Sequence, residues 1–147
     1  MFRELSSTVL VCGQVLEDNI AAAKAAGVTC IVNNRPDDEE PGQPTGDAIA
    51  RSAAAAGLHY AAIPVGPAGF NLEQIDQLAA ILSRQDGKSL LFCRSGTRST
   101  LLWALTQARS GIPVAQIAEA AAKAGYSVAP VEPVMLQLAA QASSASG

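Results

Sequence analysis

Cys93, Gly96 and Arg98 stand in the stretch Cys93-Arg94-Ser95-Gly96-Thr97-Arg98-Ser99, which follows the apolar run Leu90-Leu91-Phe92 and precedes Leu101, Leu102 and Leu105 at helical spacing. That order describes a strand delivering a thiol to the mouth of a helix. A helix N-terminus exposes unpaired N–H groups and the positive end of the dipole, so it collects anions. A cysteine in such a setting is favoured as the nucleophilic thiolate. Arg98 adds a planar fork of donors suited to phosphate, sulfate or thiosulfonate oxygens. Gly96 permits positive φ and close backbone approach, which lets consecutive N–H groups converge on one anion. The pattern reads as a nucleophilic Cys93 in an oxyanion-binding loop of Arg94, Ser95, Gly96, Thr97 and Ser99, with Arg98 as the clamp. Arg94 suits the rim, and Thr97, Ser99 and Thr100 suit helix capping as well as they suit a thiolate. The plain alternative is a turn around a buried thiol.

The other reactive side chains give weaker signals. Asp37, Asp38, Glu39 and Glu40 form a run of four acids between Pro36 and Pro41. A solvated turn is the simple reading, and a general acid reaching the Cys93 loop is the functional one. Cys12 and Cys30 lie in apolar runs and read as small buried side chains. With neither CxxC spacing nor a histidine cluster, the three cysteines support neither zinc nor a disulfide framework. His59, the one histidine, opens a strand-like run and reads as structural or as a rim residue. Trp103 and Tyr126 read as core or rim aromatics, and Asp76 as a surface residue.

Stepping outward from the loop, residues 8–12, Val28–Val32, His59–Val65 and Ser89–Phe92 read as strands. Helical patterns cover Glu17–Ala26, Asp47–Ala56, Leu72–Arg84, Ser99–Arg109 and 114–123. Asn71 with Gln74 forms a capping box at the start of the third of these. Pro130 and Pro133 frame a last helix, and Ser143–Gly147 reads as a frayed tail after a single domain over residues 1–142. Alternating helix and apolar strand predicts a mostly parallel sheet covered on both faces, with ligands bound beyond the carboxyl ends of the strands. Asn33–Gly46, Gly66–Phe70 and Cys93–Arg98 each follow a predicted strand, so the three loops are expected to meet around Cys93.

The chain has 147 residues, 49% of them hydrophobic and 16% charged, with a net charge of −3. That composition describes a folded domain rather than a disordered one. No basic stripe interleaved with aromatics argues for nucleic acid, and the alanine-rich apolar stretches are too broken for a membrane span. Arg3 and Glu4 precede an apolar run too brief for a secretory signal, so the expectation is a cytoplasmic protein.

The Cys93 loop resembles the active-site loop of rhodanese-type sulfurtransferases, in which four residues separate cysteine and arginine. It is similar as well to the signature of protein tyrosine and dual-specificity phosphatases, where five residues intervene and a histidine usually precedes the cysteine. Here Phe92 holds that place. Ile31-Val32-Asn33-Asn34-Arg35-Pro36, the acids with Pro41-Gly42-Gln43-Pro44, and His59–Val65 resemble atypical dual-specificity phosphatases. More closely still, the span from about residue 8 to 125 resembles the phosphatase-like domain of beta-lactamase hydrolase-like proteins. Members of that family are described both as phosphatases and as sulfurtransferases linked to sulfide detoxification. The resemblance implies an α/β fold of the protein tyrosine phosphatase type, a small, mostly parallel central sheet flanked by helices.

Mechanism weighs the two chemistries. A phosphatase needs an acid to protonate the leaving oxygen, then water to cleave a phosphocysteine. Phosphatases of this fold usually supply that acid from the loop after the strand corresponding to 59–65, which here is Gly-Pro-Ala-Gly-Phe. A sulfurtransferase needs none, because sulfite departs as an anion. The expectation is therefore a sulfurtransferase that carries sulfane sulfur as a Cys93 persulfide from a donor such as thiosulfate to a thiol or cyanide acceptor. A phosphatase and a non-catalytic oxyanion-binding module are the alternatives. Neither a metal nor an organic cofactor is implied.

Overall fold

The computed structural model describes residues 2–146. Five strands, β1 (Arg3–Ser6), β2 (Val9–Cys12), β3 (Val28–Asn33), β4 (His59–Ala62) and β5 (Lys88–Phe92), form one sheet in the order β1-β2-β5-β3-β4. β2, β5, β3 and β4 run parallel, and β1 closes one edge antiparallel to β2. The central strands are continuous apolar runs because both of their faces are covered, as parallel sheets require. Val11, Ile31, Val32, Leu90, Leu91 and Phe92 are fully buried. β1 lies outside the expected strands. Within it only Leu5 is buried, so the segment lacks the apolar run that marks the others. β4 stops at Ala62, short of the expected Val65, although Ile63 and Val65 still donate their N–H groups to Asn33 O and Asn34 O at 2.9 Å. Pro64 between them has no N–H to give.

Helices α1 (Glu17–Ala25) and α2 (Gly46–Ala55) cover one face, packing Ile20, Ala23, Ile49 and Ala53 against Leu10, Ile31, Leu90 and Phe92. Helices α3 (Leu72–Ser83), α4 (Thr97–Arg109), α5 (Val114–Lys123) and α6 (Glu132–Ser146) cover the other. The Asn71 and Gln74 side chains form the expected capping box, and Thr45 caps α2 by accepting from the Ala48 N–H at 3.1 Å. α4 is buried from Ser99 to Thr106, with Trp103 in the core, because α3, α5 and α6 surround it. A 3₁₀ turn at Ala129–Val131 contains Pro130, and Pro133 sits in the first turn of α6, where a missing N–H costs nothing. α6 continues to Ser146, so residues 143–146 are helical where a frayed tail was expected. Gly147 lies outside the described residues. Among the described residues no helix is long and apolar enough to cross a membrane.

Candidate active site

β5 ends at Phe92 and α4 begins at Thr97, so Cys93–Gly96 is the turn between them. Cys93 is buried, and its sulfur accepts the Gly96 N–H at 3.1 Å. Gly96 is the N-cap of α4 at φ +93°. A Cβ there would collide with the hydroxyl oxygen of Tyr126 and lie 3.3 Å from the carbonyl oxygen of Cys12. The loop is braced from outside as well. Tyr126 donates its hydroxyl to Ser95 O at 3.0 Å, and Gln14 donates its N–H to Arg94 O at 3.3 Å. Gly13 permits that second approach, since a Cβ on it would stand 2.9 Å from the same Arg94 oxygen.

Arg98 comes from the first turn of α4, five residues after Cys93. Its Nη1 donates to Glu39 Oε2 at 2.7 Å and to Val65 O at 2.8 Å, while its Nη2 donates to Glu39 Oε1 at 2.8 Å. The loops after β3, β4 and β5 thus meet as expected, and the turn after β2 joins them through Gln14. Ser99 departs from the expected loop face. Its hydroxyl donates to Asn34 Oδ1 at 2.7 Å, in a buried contact that ties α4 to the end of β3. Ser95 and Thr97 are exposed and bond to each other at 3.1 Å. The Arg94 side chain is 68% exposed and stands 3.6 Å from Glu40 Oε2, so it belongs to the rim.

The four acids have distinct fates. Asp37 accepts the Gly46 N–H at 2.8 Å and so closes the loop on the start of α2. Asp38 is exposed at a turn with φ +63°. Glu39 is clasped by Arg98 and by Arg35, whose Nε donates to Glu39 Oε1 at 2.8 Å. Hydrogen bonds from Arg98 and then from Arg35 outweigh its partial burial and pull the Glu39 carboxyl down to about 2. Glu40 is also held below the ordinary carboxylate range, chiefly by its bond to Arg35. Both carboxyls are thereby favoured in their charged form. Burial, with a smaller contribution from the Cys93 charge, pushes the Cys12 thiol up to about 12, and burial pushes Cys30 up to about 11. Among the described residues no His, Cys, Asp and Glu cluster could hold a metal ion. His59 is exposed at the opposite end of the sheet, beside Lys24 and Arg84.

Residues 1–110 match the family model for the phosphatase-like domain of beta-lactamase hydrolase-like proteins. The chain belongs to that family. A beta-lactamase hydrolase-like protein of Xylella fastidiosa is 32% identical over 108 residues, covering 74% of this chain and 25% of the relative. One from Agrobacterium fabrum is 31% identical over 107 residues, with 73% and 25% covered. The chain therefore spans about a quarter of the length of these relatives. Among solved structures, a Neisseria meningitidis protein described as a candidate phosphatase is 26% identical, with a TM-score of 0.77 over 92% of this chain and 94% of its own. Human DUSP28, at 20% identity and a TM-score of 0.69 over 99% of this chain and 98% of its own, shares the fold. The beta-lactamase hydrolase-like phosphatase domain is thus a protein tyrosine phosphatase-like α/β fold, as its sheet and its Cys93 loop anticipate.

Tyr126, Gln14 and Arg35 are the residues that sequence reasoning did not place at the site. Tyr126 and Gln14 reach the loop through its backbone oxygens, which leave no signature in side-chain type. Arg35 had one signal, a charged residue two positions past the end of the buried strand β3.

Proposed function

We propose that this domain transfers a group from an oxyanion-bearing substrate through a covalent intermediate on Cys93, with phosphate monoesters as the leading substrate class. The observation that carries the reading is the buried Cys93 thiol at the N-terminus of α4, 3.1 Å from the Gly96 nitrogen, with Arg98 in the first turn of the same helix. The kinship with phosphatase-like domains supports the phosphoryl reading over the sulfurtransferase that the loop length alone suggests. In it the Cys93 sulfur attacks phosphorus, the bond to the leaving oxygen breaks, and water then releases phosphate from the cysteine. Loop N–H groups and the open edge of Arg98 hold the remaining oxygens as charge develops on them.

Sulfur transfer is the second reading, and the state of Glu39 favours it. With its proton already lost, that carboxyl cannot assist a poor leaving group, whereas sulfite leaves thiosulfate with its own electron pair. Cys93 would attack the outer sulfur, the bond to the sulfonate sulfur would break, and a thiol acceptor would take the sulfur from the persulfide. The three cysteines are unpaired, which suits a reducing compartment such as the cytoplasm.

Intact mass after exposure to thiosulfate, run beside turnover of an aryl phosphate, separates the readings. Aryl phosphate hydrolysis that vanishes in Cys93→Ser, without gain of a sulfur atom, supports the phosphatase. Gain of one sulfur on the wild type but not on Cys93→Ser supports sulfur transfer. Sulfate binding with neither chemistry would reduce the domain to an anion-binding module.

A further inference from the structure

Arg35 belongs to the Asn33-Asn34-Arg35-Pro36 stretch, to which the chemistry above assigns no part. Its side chain is only 2% exposed, which a cation tolerates only when its donors are met. Nε donates to Glu39 Oε1 at 2.8 Å, Nη1 to Gln14 Oε1 at 3.0 Å and Nη2 to Glu40 Oε1 at 2.9 Å. One planar group therefore joins the turn after β2 to two carboxylates of the loop after β3. Glu39 passes the constraint on, because the other bonds of its carboxylate among the described residues are the two to Arg98, while its backbone N–H donates to Gln43 Oε1 at 3.0 Å.

The donors of Arg98 show what that constraint achieves. A guanidinium has five N–H groups in a fixed plane. Both on Nη1 are taken, by Glu39 and by Val65 O, and one on Nη2 is taken by Glu39. The Nε–H and the second Nη2–H are left, and they lie side by side on one edge of the plane. That edge forks onto two oxygens of a carboxylate, phosphate or sulfonate. Three guanidiniums, of Arg35, Arg94 and Arg98, share two carboxylates in this cluster, so Glu39 does not occupy all the donors of Arg98.

We infer that Arg35 is a positioning residue: by holding Glu39 it fixes the rotation of Arg98, so that the Nε and Nη2 edge is presented beside Cys93, already oriented, to a tetrahedral oxyanion. The inference rests on the group-transfer reading for its purpose but not for its test. Without Arg35, Glu39 is left on an exposed loop, and its contact with Arg98 becomes an ordinary surface pair weakened by solvent screening. Lysine cannot replace Arg35, since a single ammonium does not hold Glu39, Glu40 and Gln14 in one plane.

The test compares alkylation of Cys93 by iodoacetate, an anion, with alkylation by neutral iodoacetamide, each rate read by mass on the Cys93 peptide. The ratio of rates cancels the thiolate fraction and reports the positive edge at the sulfur. Arg98→Ala sets the floor. Arg35→Lys and Glu39→Asp, which conserve charge, are expected to bring the ratio close to that floor, about tenfold below the wild type, while circular dichroism stays native. Should Arg35→Lys not fold, Glu39→Asp at its partly exposed position carries the test, because it keeps the charge while shortening the reach. With a turned-over substrate, both variants raise KM and lower kcat. A lowered Tm with the ratio unchanged in both variants overturns the inference and leaves the proposed activity standing. A collapsed ratio in a protein that processes neither aryl phosphate nor thiosulfate has the opposite meaning: Arg35 positions Arg98, and the proposed activity is wrong.

Discussion

Gly96 concentrates the demands of the site in one residue. Its φ of +93° is a conformation that side chains rarely adopt, and the space a Cβ would need is held by Tyr126. Gly96→Ala is expected to cost about 1–3 kcal/mol in stability and to abolish Cys93 reactivity, because relief of the collision moves the N–H that faces the sulfur. Chemical denaturation and Cys93 alkylation, measured on the same variant, check both halves. The three thiols give a sharper contrast. Cys12 at about 12 and Cys30 at about 11 stay protonated near pH 8, since burial disfavours their charged forms. Iodoacetamide under native conditions is expected to label Cys93 alone, and peptide mass mapping reads the result. Labelling of Cys12 or Cys30 at a comparable rate would contradict the burial argument. At this scale the shape of the loop was legible, because Cys93, Gly96 and Arg98 are close in sequence and a lone glycine before a helical period marks the positive-φ turn from β5 into α4. The role of Ser99 was not. Its partner Asn34 lies 65 residues away in the chain, and only the packing of α4 against β3 shows that the hydroxyl turns from the thiol.

Among the elements, the end of β3 does most to hold the site together. Asn34 is fully buried and accepts the Ser99 hydroxyl, while its Nδ2 donates to Ile63 O at 2.9 Å. Its backbone N–H donates to Phe92 O at 2.8 Å, and its carbonyl accepts from Val65 N–H at 2.9 Å. One residue thus links β3, β5, α4 and the segment after β4. Asn34→Ala leaves the Ser99 hydroxyl and the Ile63 carbonyl buried without partners, at about 1–3 kcal/mol for each such group. A loss of about 2–4 kcal/mol in urea denaturation is expected. Because the two share a bond, Asn34→Ala with Ser99→Ala should cost less than the separate losses added. Strict additivity would show that they act apart. The parallel strands and the helices from α1 to α5 were legible because each carries an unbroken apolar run or a helical period with a cap or stop. β1 was not, since an edge strand with one buried side chain owes its structure to the neighbour it pairs with, a tertiary cause. The helical continuation of α6 past Ser143 has no comparable signal in a run of serine and alanine.

Across the whole molecule, the ion pairs at the site join two distant segments, 35 to 40 and 94 to 98, in which Arg35, Arg94 and Arg98 share the carboxylates of Glu39 and Glu40. No single run in the chain displays that gathering. The gathering also links stability to pH. The folded Glu39 carboxyl ionises at about 2, below its unfolded value, because Arg98 and Arg35 bond to the charged form. A group whose pKa is lowered on folding adds stability that is fully present above its unfolded pKa and is lost as the pH falls through its folded one. The wild type is therefore expected to exceed Glu39→Gln in Tm by a constant margin from neutral pH down to the ordinary carboxylate range. The margin then shrinks as the solution is acidified toward pH 2, where Glu39 takes up its proton and the two proteins differ little in charge. Thermal unfolding of both proteins across that interval measures it. A margin that stays level down to pH 2, or that widens on acidification, would mean that Arg98 and Arg35 do not hold Glu39 as a carboxylate in solution, and the argument against Glu39 as a proton donor would fall with it.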